Sequence, residues 1–71
     1  MDTREFCLVY CEAGELRLRH FLPRNVPHVV NEQGLSEADG LELKRFVTQG
    51  MVGHSLVLSP TGRRVVIWRE S

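Results

Sequence analysis

The chain reads as a small α+β domain of order β-β-α-β-β. Three features point there: a hairpin signature towards its C-terminal end, an earlier pair of β-type runs divided by a glycine, and one amphipathic helical stretch between the two pairs. Of these the C-terminal hairpin is the most sharply written. Leu56-Val57-Leu58 and Val65-Val66-Ile67-Trp68 flank Ser59-Pro60-Thr61-Gly62. Proline presets φ at the second turn position and glycine takes positive φ at the fourth, so the two runs are expected to pair.

The first pair begins with Glu5-Phe6-Cys7-Leu8-Val9-Tyr10-Cys11, rich in aromatic and aliphatic side chains, and stops at Glu12-Ala13-Gly14-Glu15. Leu16-Arg17-Leu18-Arg19-His20-Phe21-Leu22 then alternates apolar and basic with period two, the pattern of a strand with one buried and one wetter face. A turn of about four residues with Gly14 at positive φ would join them.

Pro23 and Pro27 bracket Arg24-Asn25-Val26. Proline donates no ladder hydrogen bond, so residues 23–34 are expected as an irregular crossover or edge, with His28-Val29-Val30 as a short extended piece. Ser36 has the chemistry of a helix N-cap, with Asp39 at the capping-box position and Glu37 adding favourable charge to the first turn. The spacing predicts a helix to about Gln49, stopped by Gly50. Leu43, Phe46 and Val47 share one arc, flanked by Leu35, while Glu42, Lys44, Arg45 and Gln49 lie outside it. Gly40 costs this helix about 0.5 to 1 kcal/mol relative to alanine, and Leu41 falls on the opposite face.

These elements define a single domain spanning residues 1–71: two β-hairpins forming a mostly antiparallel four-stranded sheet, with one helix packed on one face. If parity is continuous, the even positions Phe6, Leu8, Tyr10, Leu16, Leu18, Leu56, Leu58, Val66 and Trp68 meet the helix. A β-bulge at either turn would switch the parity of one strand. The odd positions Cys7, Val9, Arg17, Arg19, Val57, Val65, Ile67 and Arg69 then form a second face, an aliphatic centre with an arginine rim.

Function is argued from that second face. One helix covers one side of a sheet, and a contiguous exposed apolar patch is unusual on a soluble monomer. Its cover is expected to be a second copy in a two-fold dimer, a different protein, or the 23–34 crossover folded back. Val57, Val65 and Ile67 would be the apolar anchors, and Arg17, Arg19 and Arg69 the rim contacts. Edge pairing through the last strand, Val65 to Trp68, is a further route to a dimer. The alternative is a nucleic-acid-binding protein, with Arg17, Arg19, Arg63, Arg64 and Arg69 as a basic stripe on the β-ribbon.

Composition weighs against the alternative. In 71 residues, nine basic side chains balance nine acidic ones, so no global field favours nucleic acid or an anionic membrane. Eight of the nine basic residues are arginine and Lys44 is the single lysine; the bias fits bidentate recognition, and equally a GC-rich genome. Gly50-Met51-Val52-Gly53 has the spacing of a backbone-clamping GxxG loop, but the residues after it read as strand, which makes it a helix stop and a turn.

A domain this small buries only roughly 60% of its unfolded surface, leaving little room for a deep catalytic cavity. No enzyme is expected. His54 beside Ser55, Cys7 near His20, and Asp39 on the helix have no spacing that fixes them as nucleophile, base and orienter. His20, His28 and His54 lack metal-ligand spacing, there is no HExxH, Walker, GxSxG or dinucleotide motif, and no cofactor, metal or small-molecule substrate is inferred. Cys7 and Cys11 on one strand would lie roughly 13 Å apart, beyond the reach of a disulfide or a shared metal. They read as small apolar side chains in a reducing compartment, with a redox or metal role shared with His20 as the sharper reading. The N-terminal residues show neither a signal-peptide run nor a lipidation motif, and no stretch approaches the roughly 20 apolar residues of a membrane span. The expected setting is the cytosol.

Overall fold

Strands β1 (Phe6–Glu12) and β2 (Glu15–Phe21) pair antiparallel in the computed structural model, which describes residues 4–59 and 62–71. Their connection is two residues long, not four. Glu12 faces Glu15, and Ala13 and Gly14 both take positive φ (52° and 81°), the geometry of a type I′ hairpin whose twist matches its strands.

The crossover is helical, which corrects the irregular segment expected there and its extended piece at His28-Val29-Val30. A 3-10 turn at Pro23–Asn25 leads into α1 (Val26–Gln33). Asn25 Oδ1 accepts from the Leu22 backbone N–H at 3.1 Å. Both prolines sit in first turns, where the missing N–H has no intrahelical partner to lose and the fixed φ suits the helix. The helix ends at Gly34 in the left-handed region (φ 63°), and the Leu35 N–H returns to the Val30 carbonyl at 3.0 Å.

Only Leu35 and Ser36 separate that glycine from α2 (Glu37–Gln49). Ser36 caps it as expected, its hydroxyl accepting from the Asp39 N–H at 3.1 Å. Leu43 and Val47 are buried, Phe46 and Leu35 pack against the same core, and Leu41 is exposed. α2 ends where Gly50 turns to extended backbone (φ −65°, ψ 145°), and glycine is needed there for a steric reason: a Cβ would stand 2.5 Å from the Phe46 carbonyl oxygen.

Strands β3 (Ser55–Leu58) and β4 (Val65–Arg69) form the second hairpin, with Leu58 opposite Val65. The turn expected at Ser59–Gly62 runs through Pro60 and Thr61, which lie outside the described residues. All pairings are antiparallel and the sheet order is β2-β1-β4-β3, giving an α+β domain of order β-β-α-α-β-β. β4 is therefore a central strand with neighbours on both sides, and the expected edge pairing through Val65 to Trp68 does not hold; β2 and β3 are the edges. Beyond β4, the Glu70 N–H donates to the Glu5 carbonyl at 2.8 Å, extending the β1–β4 ladder.

Both helices pack on the same side of the sheet. Val26 and Val29 of α1, and Leu43 and Val47 of α2, join Phe6, Leu8, Tyr10, Phe21, Leu58, Val65 and Ile67 in one core. Phe6 is at its centre, stacked on Phe21 (ring centroids 5.5 Å apart) and edge-on to Phe46 (6.0 Å). Val65 and Ile67, expected on the second face, are fully buried against the helices. The pairing register explains the correction: Tyr10 faces Val65 and Leu8 faces Ile67, so even positions of β1 share a side with odd positions of β4.

Candidate functional site on the open face of the sheet

The same register decides what the other face carries. Cross-strand partners point to the same side, so Leu18 of β2, Val9 of β1, Val66 of β4 and Val57 of β3 form one continuous apolar row across all four strands. Beside it runs a second row, His20, Cys7, Trp68 and Ser55, while Leu16 and Cys11 stand on the hairpin side. Neither helix reaches this face. Leu16, Leu18 and Val57 are 80%, 55% and 55% exposed, and Val9, Val66 and Trp68 are half-buried. The crossover, expected as one of three covers, lies on the opposite side.

Of the expected interface anchors, only Val57 is on this face. The arginines expected as its rim belong to the helix side or to the chain's own backbone. Arg17 and Arg19 stand opposite Tyr10 and Leu8, on the helix side of edge strand β2. Arg17 pairs with Glu15 (3.4 Å) and Arg19 with Glu32 of α1, whose other carboxylate oxygen lies 3.1 Å from His28 Nε2.

Arg69 donates from Nη1 to the Gly50 carbonyl (2.8 Å) and from Nε to the Ser71 carbonyl (2.9 Å). Arg63 donates to the Gln33 carbonyl at 2.8 Å, and Arg4 to the Val47 carbonyl at 2.7 Å. Three guanidinium groups thus meet the carbonyl ends of α1 and α2, where unpaired oxygens and the negative helix pole favour a cation. Arg63 and Arg69 flank opposite ends of β4 and Arg64 is exposed, so the five residues named for nucleic acid do not make one stripe.

Gly50 to His54 form a turn and not a nucleotide-clamping loop. The His54 N–H bonds the Met51 carbonyl (3.0 Å), with Gly53 at φ 91° as the third turn residue.

One end of the open face gathers chemistry. Cys7 and His20 are direct cross-strand partners, and Glu70, two residues beyond Trp68, is diagonal to Cys7 on the other neighbouring strand. Ligand atoms of all three lie within 4.8 Å of one another, and His20 Nδ1 is 3.0 Å from Glu70 Oε1. Burial pushes the Cys7 thiol above its ordinary range, and the adjacent Glu70 carboxylate, by hydrogen bond and charge, adds to the effect. A buried thiol held protonated is a poor nucleophile. The sequence paired Cys7 with His20 but missed Glu70; the signal was its place in the ladder, which becomes visible only once β4 is set beside β1. Cys7 and Cys11 are both free.

Comparison with protein-family models, curated proteins and solved structures found no match. Among the described residues, no helix is long and apolar enough to cross a membrane.

Proposed function

We propose that this chain is a small non-enzymatic binding module that works through protein–protein contact, and that the open face of its sheet pairs with the same face of a second copy. The observation carrying this reading is the unbroken row Leu18-Val9-Val66-Val57, flanked by Trp68, on the side of the sheet opposite α1 and α2. Two sheets stacked about 10 Å apart through such rows would remove them from water. A two-fold axis lays the row on its own copy, so apolar meets apolar along its length. The balanced charge of the chain adds no net repulsion between copies. Free thiols fit a reducing, cytosolic setting.

Nucleic acid is served less well, since Arg17, Arg19, Arg63 and Arg69 already engage acceptors within the chain. Steeply salt-dependent binding of mixed DNA or RNA would reverse that ranking.

The test is solution mass by light scattering over a dilution series, with Trp68, the single tryptophan, as a fluorescence probe on the face itself. The expected result is a two-chain mass that falls to one chain on dilution and in Leu18→Asp and Val57→Asp, with circular dichroism unchanged. A one-chain mass at every concentration, with wild-type Trp68 emission in both variants, refutes self-association.

A further inference from the structure

We infer that Cys7, His20 and Glu70 form a binding site for a divalent transition metal of zinc type, a function that goes beyond self-association and does not depend on it. The three residues come from three adjacent strands, β2, β1 and the extension of β4, and each supplies one donor: thiolate sulfur, imidazole nitrogen and carboxylate oxygen. Their ligand atoms lie within 4.8 Å of one another, and the nitrogen–oxygen pair is already at 3.0 Å. A tetrahedral zinc site with ordinary bond lengths separates its donors by about 3.3 to 3.6 Å, so side-chain shifts of about 1 Å complete the set.

The chemistry of the donors matches a dication. Binding releases the thiol proton to solvent, and thiolate plus carboxylate then cancel the two positive charges, while the neutral imidazole adds a borderline-soft nitrogen. No oxidation or reduction is involved. A mixed sulfur, nitrogen and oxygen set favours zinc over magnesium or calcium, which take oxygen ligands. The frame is rigid where it matters: Cys7 is on a central strand and 1% exposed, and the backbone bond from Glu70 to Glu5 fixes the third ligand's approach. His20 and Glu70 are open to solvent, so the metal has a path in and a fourth position for water.

Three protein ligands leave the fourth tetrahedral position to water, whereas a closed structural zinc site fills all four positions with protein ligands. Here binding would tie edge strand β2 to both central strands.

The test is titration of the full chain, stripped of metal by a chelator, with Co²⁺ followed by displacement with Zn²⁺. The expected result is one metal per chain, with a near-ultraviolet thiolate-to-cobalt band and the visible bands of a tetrahedral ion. Zn²⁺ should raise Tm. Cys7→Ser removes the thiolate band, Cys11→Ser leaves it, and His20→Ala and Glu70→Gln each weaken binding at least about tenfold. Because Cys7 is buried, its variant is checked for folding; the exposed His20 and Glu70 variants decide the matter if it fails. Absence of the thiolate band at millimolar cobalt, a band that survives Cys7→Ser, or wild-type affinity in both His20→Ala and Glu70→Gln overturns the site.

Discussion

Arg69 and Gly50 are joined by a 2.8 Å hydrogen bond from the guanidinium Nη1 to the backbone carbonyl, linking the last residue of β4 to the C-cap of α2. The acceptor is one of the carbonyls that a helix end leaves without an intrahelical partner, so a cation there answers both the lone pair and the helix pole. Arg69→Ala is expected to destabilise the fold by about 1 to 2 kcal/mol. Thermal unfolding reads this directly, and Arg69→Lys should fall between the two.

Two glycines of the α2 region have opposite prospects. A methyl group at Gly40 would meet Val30 of α1 at 3.6 Å, an ordinary contact, so Gly40→Ala should stabilise by about 0.5 to 1 kcal/mol through helix propensity. At Gly50 the same methyl group would collide with the Phe46 carbonyl, and Gly50→Ala should destabilise by about 1 to 3 kcal/mol. Urea denaturation of the pair gives opposite shifts in midpoint; shifts of the same sign contradict this packing.

Ala13 occupies a left-handed conformation that costs an alanine roughly 1 kcal/mol. Asparagine tolerates it and forms the favoured Asn-Gly sequence of a type I′ turn with Gly14. Ala13→Asn is therefore expected to raise Tm by a few degrees, on the order of 4 to 8 °C per kcal/mol for a domain of this size. An unchanged or lowered Tm would mean the hairpin loop adopts another turn.

Carboxylates placed on the two faces of neighbouring strands should separate them cleanly. Ile67 is fully buried, and Ile67→Asp should cost at least about 4 kcal/mol, comparable with the whole stability of a domain of this size. Val57, 55% exposed on the open face, should accept aspartate with the fold intact. Circular dichroism distinguishes the outcomes, and a folded Ile67→Asp would reverse the assignment of the two faces.

The two cysteines should differ in reactivity. Cys11 is exposed, whereas Cys7 is buried with its thiol pushed upward, so less thiolate is present near neutral pH. A thiol reagent at pH 7.5 or so, within the range where an ordinary cysteine is partly ionised, should label Cys11 rapidly and Cys7 only as the chain opens. Mass spectrometry of the time course would show equal labelling if Cys7 were accessible.

Much of this architecture was legible in the residues. The strand runs, the Ser36 cap, the Gly50 stop and the Leu43-Phe46-Val47 arc all rest on local chemistry, and local chemistry is what a sequence displays. Two things were not. Pro23 and Pro27 hid α1, because a proline reads as a breaker unless it is known to fall in a first turn. The faces of β2 and β4 were exchanged for two separate reasons: with two residues between Glu12 and Glu15, odd positions of β2 join even positions of β1, and the long-range β1–β4 register sets odd positions of β4 beside those same even positions. The first takes Arg17 and Arg19 to the helix side and Leu18 to the open face; the second moves Val65 and Ile67 into the core and Trp68 to the open face. The candidate site was half legible, since Cys7 and His20 lie on strands expected to pair while Glu70 is brought in by a long-range one.

The strand order β2-β1-β4-β3 sets the first strand of the chain beside the last, at the middle of the sheet. On a ribosome the first hairpin would emerge with Phe6, Leu8 and Tyr10 bare, and the helices alone could not complete the sheet around them. Closure waits for β4, across a separation that spans nearly the whole chain, and such non-local pairing is slow and strongly cooperative. Until translation delivers Val65 to Arg69 the four-stranded sheet cannot close around the β1–β2 hairpin, and transiently exposed apolar strands of this kind are prone to aggregation.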